Sequence, residues 1–376
     1  MVEVWFRQTA PYYGTDDEPT PFPVPGWMWR RERGPALYGE RMQFIRRMDE
    51  LGYDGIIFTE HHAGPNGGLM PSPLVLLAAA SQVTERIKLA TMGITLALYP
   101  HPLRVAEELA VIDNLSGGRV VPGFISGTPQ NLYAYNVAPE EERERYHEAY
   151  DLIVKAWTED EPFEWHSQYY DYECVAILPR PFQQPHPRCW TTATSRESIE
   201  WAATKRMGFL SHGPTVECAN RLDYFRQHAE HQGGWSPAPA DLGIARELYV
   251  VPTRIDVDAR IRELFEADRA HAFTHRATHD RLRAIDAERF KVRSYDYLTA
   301  VDSPFQGAAM TVAGRHSGQF LAGDPDALTE EIIAQQRATG AGVLVIRSEL
   351  GSISLAEALE GLELFAREVL PVVQRL

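Results

Sequence analysis

Short runs of β-branched and aromatic residues alternate with helix-spaced segments along most of this chain, and that alternation restricts the fold more than any other feature. VEVWFR at 2–7, GIIFT at 55–59, IKLATMGITL at 87–96 and RVVPGFI at 119–125 read as the first four strands. Between them, 37–51 carries Leu37, Met42, Ile45, Met48 and Leu51 at helical spacing and stops at Gly52. The apolar segment 73–83 opens on Ser72-Pro73, and 102–115 ends at Ser116-Gly117-Gly118; both read as helices. Strands that alternate with helices in this way build parallel units with right-handed crossovers.

The alternation continues. An amphipathic helix is expected at 139–158, with Tyr146, Ala149, Ile153 and Trp157 on one face, and a hairpin excursion at 163–178. Strands follow at 189–194, 208–211, 244–251 and 342–347, with helices from 194 to 207, at 219–232 and at 355–373. Eight strands of this kind close into a single (β/α)8 TIM barrel with insertions before strands five and eight. A long loop at 8–35, bearing Tyr12, Tyr13, Trp27 and Trp29, is placed over a pocket, or else is a proline-stiffened surface segment. The stretch 253–339 is read as an inserted helical segment, mobile near 301–318.

At 376 residues and 44% hydrophobic content the chain can bury one large core, and a net charge of −15 disfavours nucleic acid and anionic membrane surfaces as partners. No run approaches the ~20 apolar residues of a membrane span, and the start lacks a secretory pattern, so a cytoplasmic protein is expected. Cys174, Cys189 and Cys218 lack paired spacing and read as reduced, structural residues.

A barrel places its chemistry at the carboxyl ends of the strands. There, strand two runs into Glu60, His61 and His62, followed by a loop with several glycines. The cluster either solvates a strand end or carries proton chemistry, since an unperturbed imidazole titrates near ~6.5. Adjacent residues of an extended chain point to opposite sides, so the two histidines are poor co-ligands and no metal is expected. After strand five, the segment 194–198 offers Thr and Ser hydroxyls beside free helix-terminal N–H groups, which suits a phosphate. Thr194 and Glu197 also fit an ordinary capping box. Thr91-Met92-Gly93 suits the approach of a flat ring or is simply core. Neither a Walker A motif, a dinucleotide glycine fingerprint nor a G-x-S-x-G elbow occurs.

The succession TEHHAGPNGG, ITLALYPHPLRVAEELAVIDNLSGGRVVPGFISGTP, ILPRPFQQPHP, TATSRESIEWAA and ALEGLELFAREVLPVV resembles the bacterial luciferase-like, flavin-dependent monooxygenase family. The resemblance spans 37–251 and resumes at 340. It implies a barrel that takes reduced FMN from a separate reductase, as in two-component systems, and reacts it with O2 to form a flavin hydroperoxide that oxidises a small organic substrate. Carried over by motif, His61 stands at the family's active-site histidine, with Glu60 beside it to orient it or the flavin. Met92 and Gly93 match the segment that passes against the isoalloxazine, where the family can show a strained peptide bond. Thr194, Ser195 and Ser198 match its phosphate contacts. Ser126 stands where many members carry a phosphate-facing arginine, and Ile125 where luciferases proper have a reactive cysteine. A homodimer is also implied. The resemblance leaves two other readings open: a deazaflavin-dependent oxidoreductase, and a flavin-binding protein without catalysis.

Overall fold

The computed structural model describes residues 1–8, 23–63, 69–267, 310–350 and 353–376. The expected loop residues Tyr12 and Tyr13 and most of the glycine loop after His62 lie outside them.

Eight parallel strands form the barrel: Glu3–Arg7, Gly55–Phe58, Lys88–Thr91, Val120–Val121, Trp190–Thr191, Gly208–His212, Leu242–Val250 and Val343–Arg347. Strand one lies between strands eight and two, and the order runs from four through one to eight, seven, six and five. Closure between four and five rests on the Gly123–Trp190 bridge and the Trp190 N–H donated to the Pro122 carbonyl at 2.7 Å. The strands form because their residues suit a surface buried on both faces: Gly55–Phe58 and Val343–Leu344 are buried throughout.

Alternate side chains point inward. Trp5, Ile57, Ala90, Met92, Val121, Trp190, Leu210, Val343 and Val345 fill the barrel's interior, while a larger cluster packs the sheet against the helices. The two tryptophans meet with ring centroids 5.3 Å apart. They fit because two neighbours are glycines: a Cβ at Gly55 would lie 2.6 Å from Trp5, and one at Gly208 2.3 Å from Trp190.

Strand three does not run unbroken over 87–96, as its apolar pattern predicts. It stops at Thr91, passes the cis Met92–Gly93 peptide, and resumes as Ile94–Thr95 beside Phe124–Ile125. At the break the Thr91 hydroxyl replaces the ladder, donating to the Gly123 carbonyl at 3.0 Å and accepting from the Gly123 N–H at 2.8 Å. Only glycine fits at Gly123, where a Cβ would lie 2.0 Å from the Thr91 carbonyl oxygen. Gly123→Ala must therefore separate the two strands and is expected to destabilise the protein by about 3 kcal/mol. An unchanged urea midpoint would show that the strands part at no cost.

The helices predicted at 37–51, 102–115 and 139–158 occur as Gly34–Leu51, Pro102–Ser116 and Pro139–Thr158; the first two end at left-handed glycines, Gly52 and Gly117. The hairpin excursion is Phe163–His166 paired with Asp171–Val175.

The stretch 253–339 departs from the expectation of an inserted helical segment. Among its described residues, Val257–Ala267 and Val312–His316 are helical, and Phe320–Gly323 is a ninth strand beside the outer half of strand seven. Pro325–Thr339 is the helix that joins strands seven and eight, so this part belongs to the barrel itself. Of the stretch expected to be mobile, 301–309 lies outside the described residues and 310–318 contains the short helix. No described helix is long and apolar enough to cross a membrane.

Candidate active site

Strands two, three, four and five lie side by side around the barrel, and their carboxyl ends carry His61, Met92-Gly93, Ser126 and Ser195 in that order. The stretches singled out in the sequence thus share one rim.

Glu60 is the most enclosed of them, 2% exposed. Its Oε2 accepts the Thr95 N–H at 2.6 Å, and its Oε1 accepts the Tyr99 hydroxyl at 3.0 Å and lies 3.0 Å from His62 Nε2. Burial, followed by the field of Glu60, pushes the Tyr99 phenol far above its ordinary range, so it stays a hydrogen-bond donor. The other nitrogen of His62, Nδ1, lies 3.3 Å from the Tyr135 hydroxyl, with the two rings edge to face at 4.5 Å. The imidazole that Glu60 orients is therefore that of His62, where the sequence pointed to His61. His61 is half-buried, and its backbone N–H donates to the Met70 carbonyl at 3.2 Å.

Asn131 locks the segment. Its Oδ1 accepts the His62 N–H at 3.2 Å, and its Nδ2 donates to the Glu60 carbonyl at 3.1 Å and to the Thr95 hydroxyl at 3.3 Å. It sits on Pro129–Tyr135, a helix capped by Thr128, and it escaped the sequence reading although Thr128-Pro129 is an ordinary helix-start signal.

Met92 faces the barrel interior at strand three's break, and Gly93 packs so tightly that a Cβ would lie 2.9 Å from both the Gly123 carbonyl oxygen and Ile125. The space beside Gly93 is thus already filled by the fourth strand's segment. On the next strand the Ser126 hydroxyl hydrogen-bonds Glu142, whose carboxyl is pushed up by burial although Ser126 and Arg143 oppose the shift.

After strand five, the cap of Arg196–Thr204 is Ser195, one residue later than the expected box begins. Its Oγ accepts the Ser198 N–H at 3.3 Å and donates to the Ser198 hydroxyl at 2.9 Å. Thr194 is exposed beside it, and Ser195 and Ser198 are half-buried. Above this corner His147 stacks on Trp201 at 4.0 Å, and burial followed by Arg143 holds the imidazole down to about 4. Hydroxyls at a helix N-terminus suit a phosphate, so the residues present fit FMN in donor type. Among the described residues no group of three or more His, Cys, Asp or Glu could hold a metal.

The opposite arc of the barrel carries charge that the sequence reading passed over. Arg7, Glu247 and Arg347 end or interrupt strands one, seven and eight, and His212 ends strand six. Burial, aided by Arg221, Arg7 and Arg246, holds His212 down to about 4, and its Nδ1 lies 3.3 Å from the Thr192 hydroxyl.

A family description, luciferase-like monooxygenase, matches residues 27–342. The chain belongs to that family. It shares the barrel of that family's solved members. Among curated relatives of this family member, Uncharacterized protein y4wF of Sinorhizobium fredii is 30% identical over 223 residues, 58% of this chain and 64% of that one. The oxygenase component of the flavin-dependent trigonelline monooxygenase of Acinetobacter baylyi is 29% identical over 169 residues, 44% of this chain and 46% of that one. The chain thus spans less than two thirds of the length of both. Among solved structures, monooxygenase RslO1 from Streptomyces bottropensis matches with a TM-score of 0.72 at 25% identity, over 90% of this chain and 96% of that one. The oxygenating constituent of 3,6-diketocamphane monooxygenase from Pseudomonas putida, in complex with FMN, matches at 0.71 and 20% identity over 99% and 98%. A coenzyme F420 dependent reductase from Methanopyrus kandleri matches at 0.66 and 18% identity over 98% and 99%. These last two likenesses show the fold alone.

Proposed function

We propose that this protein is the oxygenase of a two-component system, using reduced FMN and O2 to oxidise a small organic molecule. The observation that carries the reading is the order of the rim: a histidine pair on strand two, a glycine-containing break in strand three and a hydroxyl-lined helix start after strand five. The relative named as an oxygenase component supports a separate reductase, and the FMN complex of the diketocamphane enzyme supports the cofactor.

When bound, FMN would supply the two electrons that activate dioxygen. Ser195, Ser198 and the exposed Thr194 would hold its phosphate, and Met92-Gly93 would support the ring. Ser126, a neutral hydroxyl bonded to Glu142, brings no cation to that corner. His61 would move a proton at the reacting centre, with His62, Glu60 and Asn131 fixing the backbone beneath it. Burial of Glu60 and the packed interior below would keep water from the reaction.

The decisive experiment mixes the protein anaerobically with reduced FMN, and separately with reduced deazaflavin F420, then admits oxygen. Saturable binding of reduced FMN and oxygen consumption slower than that of free reduced FMN are expected. Binding of F420 alone, with no oxygen consumption, would replace the reading with hydride transfer. We also expect Ser195→Asp to weaken FMN by about tenfold or more through charge repulsion, and to leave riboflavin, which lacks the phosphate, unchanged. Equal loss for both ligands would move the phosphate elsewhere.

A further inference from the structure

Three side chains of the rim form a file that runs from the closed interior to solvent. Glu60 is 2% exposed, the His62 side chain 8% and Tyr135 51%. His62 Nε2 lies 3.0 Å from Glu60 Oε1, and its Nδ1 lies 3.3 Å from the Tyr135 hydroxyl. Tyr135 ends the helix that follows strand four, so the outer member of the file stands on the same rim as His61, Met92-Gly93 and Ser195.

Hydrogen bonding fixes where the protons sit. The Thr95 N–H and the Tyr99 hydroxyl both donate to Glu60, and a carboxylate that accepts from them accepts from His62 as well, which places the imidazole hydrogen on Nε2. Nδ1 is then an acceptor, and the hydrogen between it and Tyr135 is the phenol's own. Burial, followed by the field of Glu60, pushes the Tyr135 phenol up, so it holds that hydrogen at rest. Asn131, four residues earlier on the same helix face, ties down the His62 N–H and the Glu60 carbonyl, so one short helix sets both the backbone and the ring. A hydroxyl, an imidazole and a carboxylate in this order can pass a proton: the imidazole takes it from the hydroxyl, and the carboxylate offsets the charge.

We infer that Tyr135, His62 and Glu60 are a proton relay serving the barrel mouth, with Tyr135 as its outer end. The inference rests on the reading of this rim as the place of reaction, and it adds to His61 a second route for protons. A proton released at the mouth bonds to the Tyr135 oxygen while the original O–H bond breaks and a new N–H bond forms at His62 Nδ1. The resulting imidazolium is paired with the Glu60 carboxylate. The reverse step returns the proton, and no electrons are gained or lost. Tyr99 is a positioning residue that holds the carboxylate in place.

Nitrogen NMR of the flavin-free protein with isotope-labelled histidine tests the relay, with His62→Gln assigning the signals. Neutral His62 is expected as one tautomer, its hydrogen on Nε2. Tyr135→Phe keeps the ring that packs on His62 and removes the hydroxyl, so the Nδ1 signal should shift to that of an acceptor without a partner. The rate at which His62 gains and loses a proton, read from exchange broadening, should fall about tenfold or more in the same variant. A hydrogen on Nδ1 in the neutral ring, an unmoved signal or an unchanged exchange rate overturns the inference; a merely structural contact would move the signal and leave the rate alone. With reduced FMN bound and oxygen admitted, Tyr135→Phe should reoxidise the flavin about tenfold more slowly at unchanged FMN affinity. Equal reoxidation rates would mean that the relay does not serve the reaction, and the inference is equally lost. Because the spectra contain no flavin, failure to bind FMN counts against the oxygenase reading, while the relay stands or falls on the exchange rate.

Discussion

Replacing His61 with alanine is expected to lower coupled product formation by about 100-fold or more, with the fold intact and most of the FMN affinity retained. His61 is half-buried on the strand-two exit, whose backbone is held by its neighbours. Asn131 holds the His62 backbone and the Glu60 carbonyl, and Glu60 holds the His62 ring. Truncating His61 therefore removes an imidazole without dismantling its support. Reduced FMN consumed and hydrogen peroxide released should rise relative to product. Full coupled turnover by His61→Ala would move the proton-transfer role to another group. His62→Ala is the natural companion, since it removes a ring already committed to Glu60 and Tyr135 and should perturb stability more than His61→Ala does.

Glu60→Ala is expected to be the most destabilising single change at the rim, by about 4 kcal/mol, because it orphans several donors at once. The Thr95 N–H and the Tyr99 hydroxyl would lose the oxygens that now accept from them, in a site that is closed to water. Each such group costs about 1–3 kcal/mol when left buried and unsatisfied. Glu60→Gln keeps the side chain's shape and one accepting oxygen, so it should lose no more than about half as much. Chemical denaturation of the two variants checks this. Equal losses would mean that the packing of the side chain, and not its accepting oxygens, holds the rim.

Much of the barrel was legible because parallel strands buried on both faces need continuous β-branched runs, and such runs stand out in 55–59 and 342–347. The same criterion merged strand three across its break, since Met92 and Gly93 look like any other apolar and small residues in a strand. It also missed Phe320–Gly323, which is too short to separate from its surroundings. The helix Pro325–Thr339 carries its signals openly, an Asp324 cap that accepts the Ala327 N–H at 3.1 Å and a left-handed Gly340, but they lay within a stretch without strong periodicity. At the rim, His61, Met92-Gly93, Ser126 and Ser195 follow the carboxyl ends of neighbouring strands. The pairing of Glu60 with His62, and the commitment of Ser126 to Glu142, depend on partners remote in the chain. Arg7, Glu247 and Arg347 were passed over for a related reason: a charged residue in a strand reads as facing solvent until a closed barrel fixes which alternate positions turn inward.

The tryptophans that interlock beneath the rim, made possible by Gly55 and Gly208, fill the barrel's interior below it. Under the proposed reading, flavin and substrate would both enter by the opening above them. A broad tricyclic guest seated across that opening would then obstruct whatever lay below it, so the sequence of arrival matters: the group destined for the deeper position has to be in place before the later arrival settles on top.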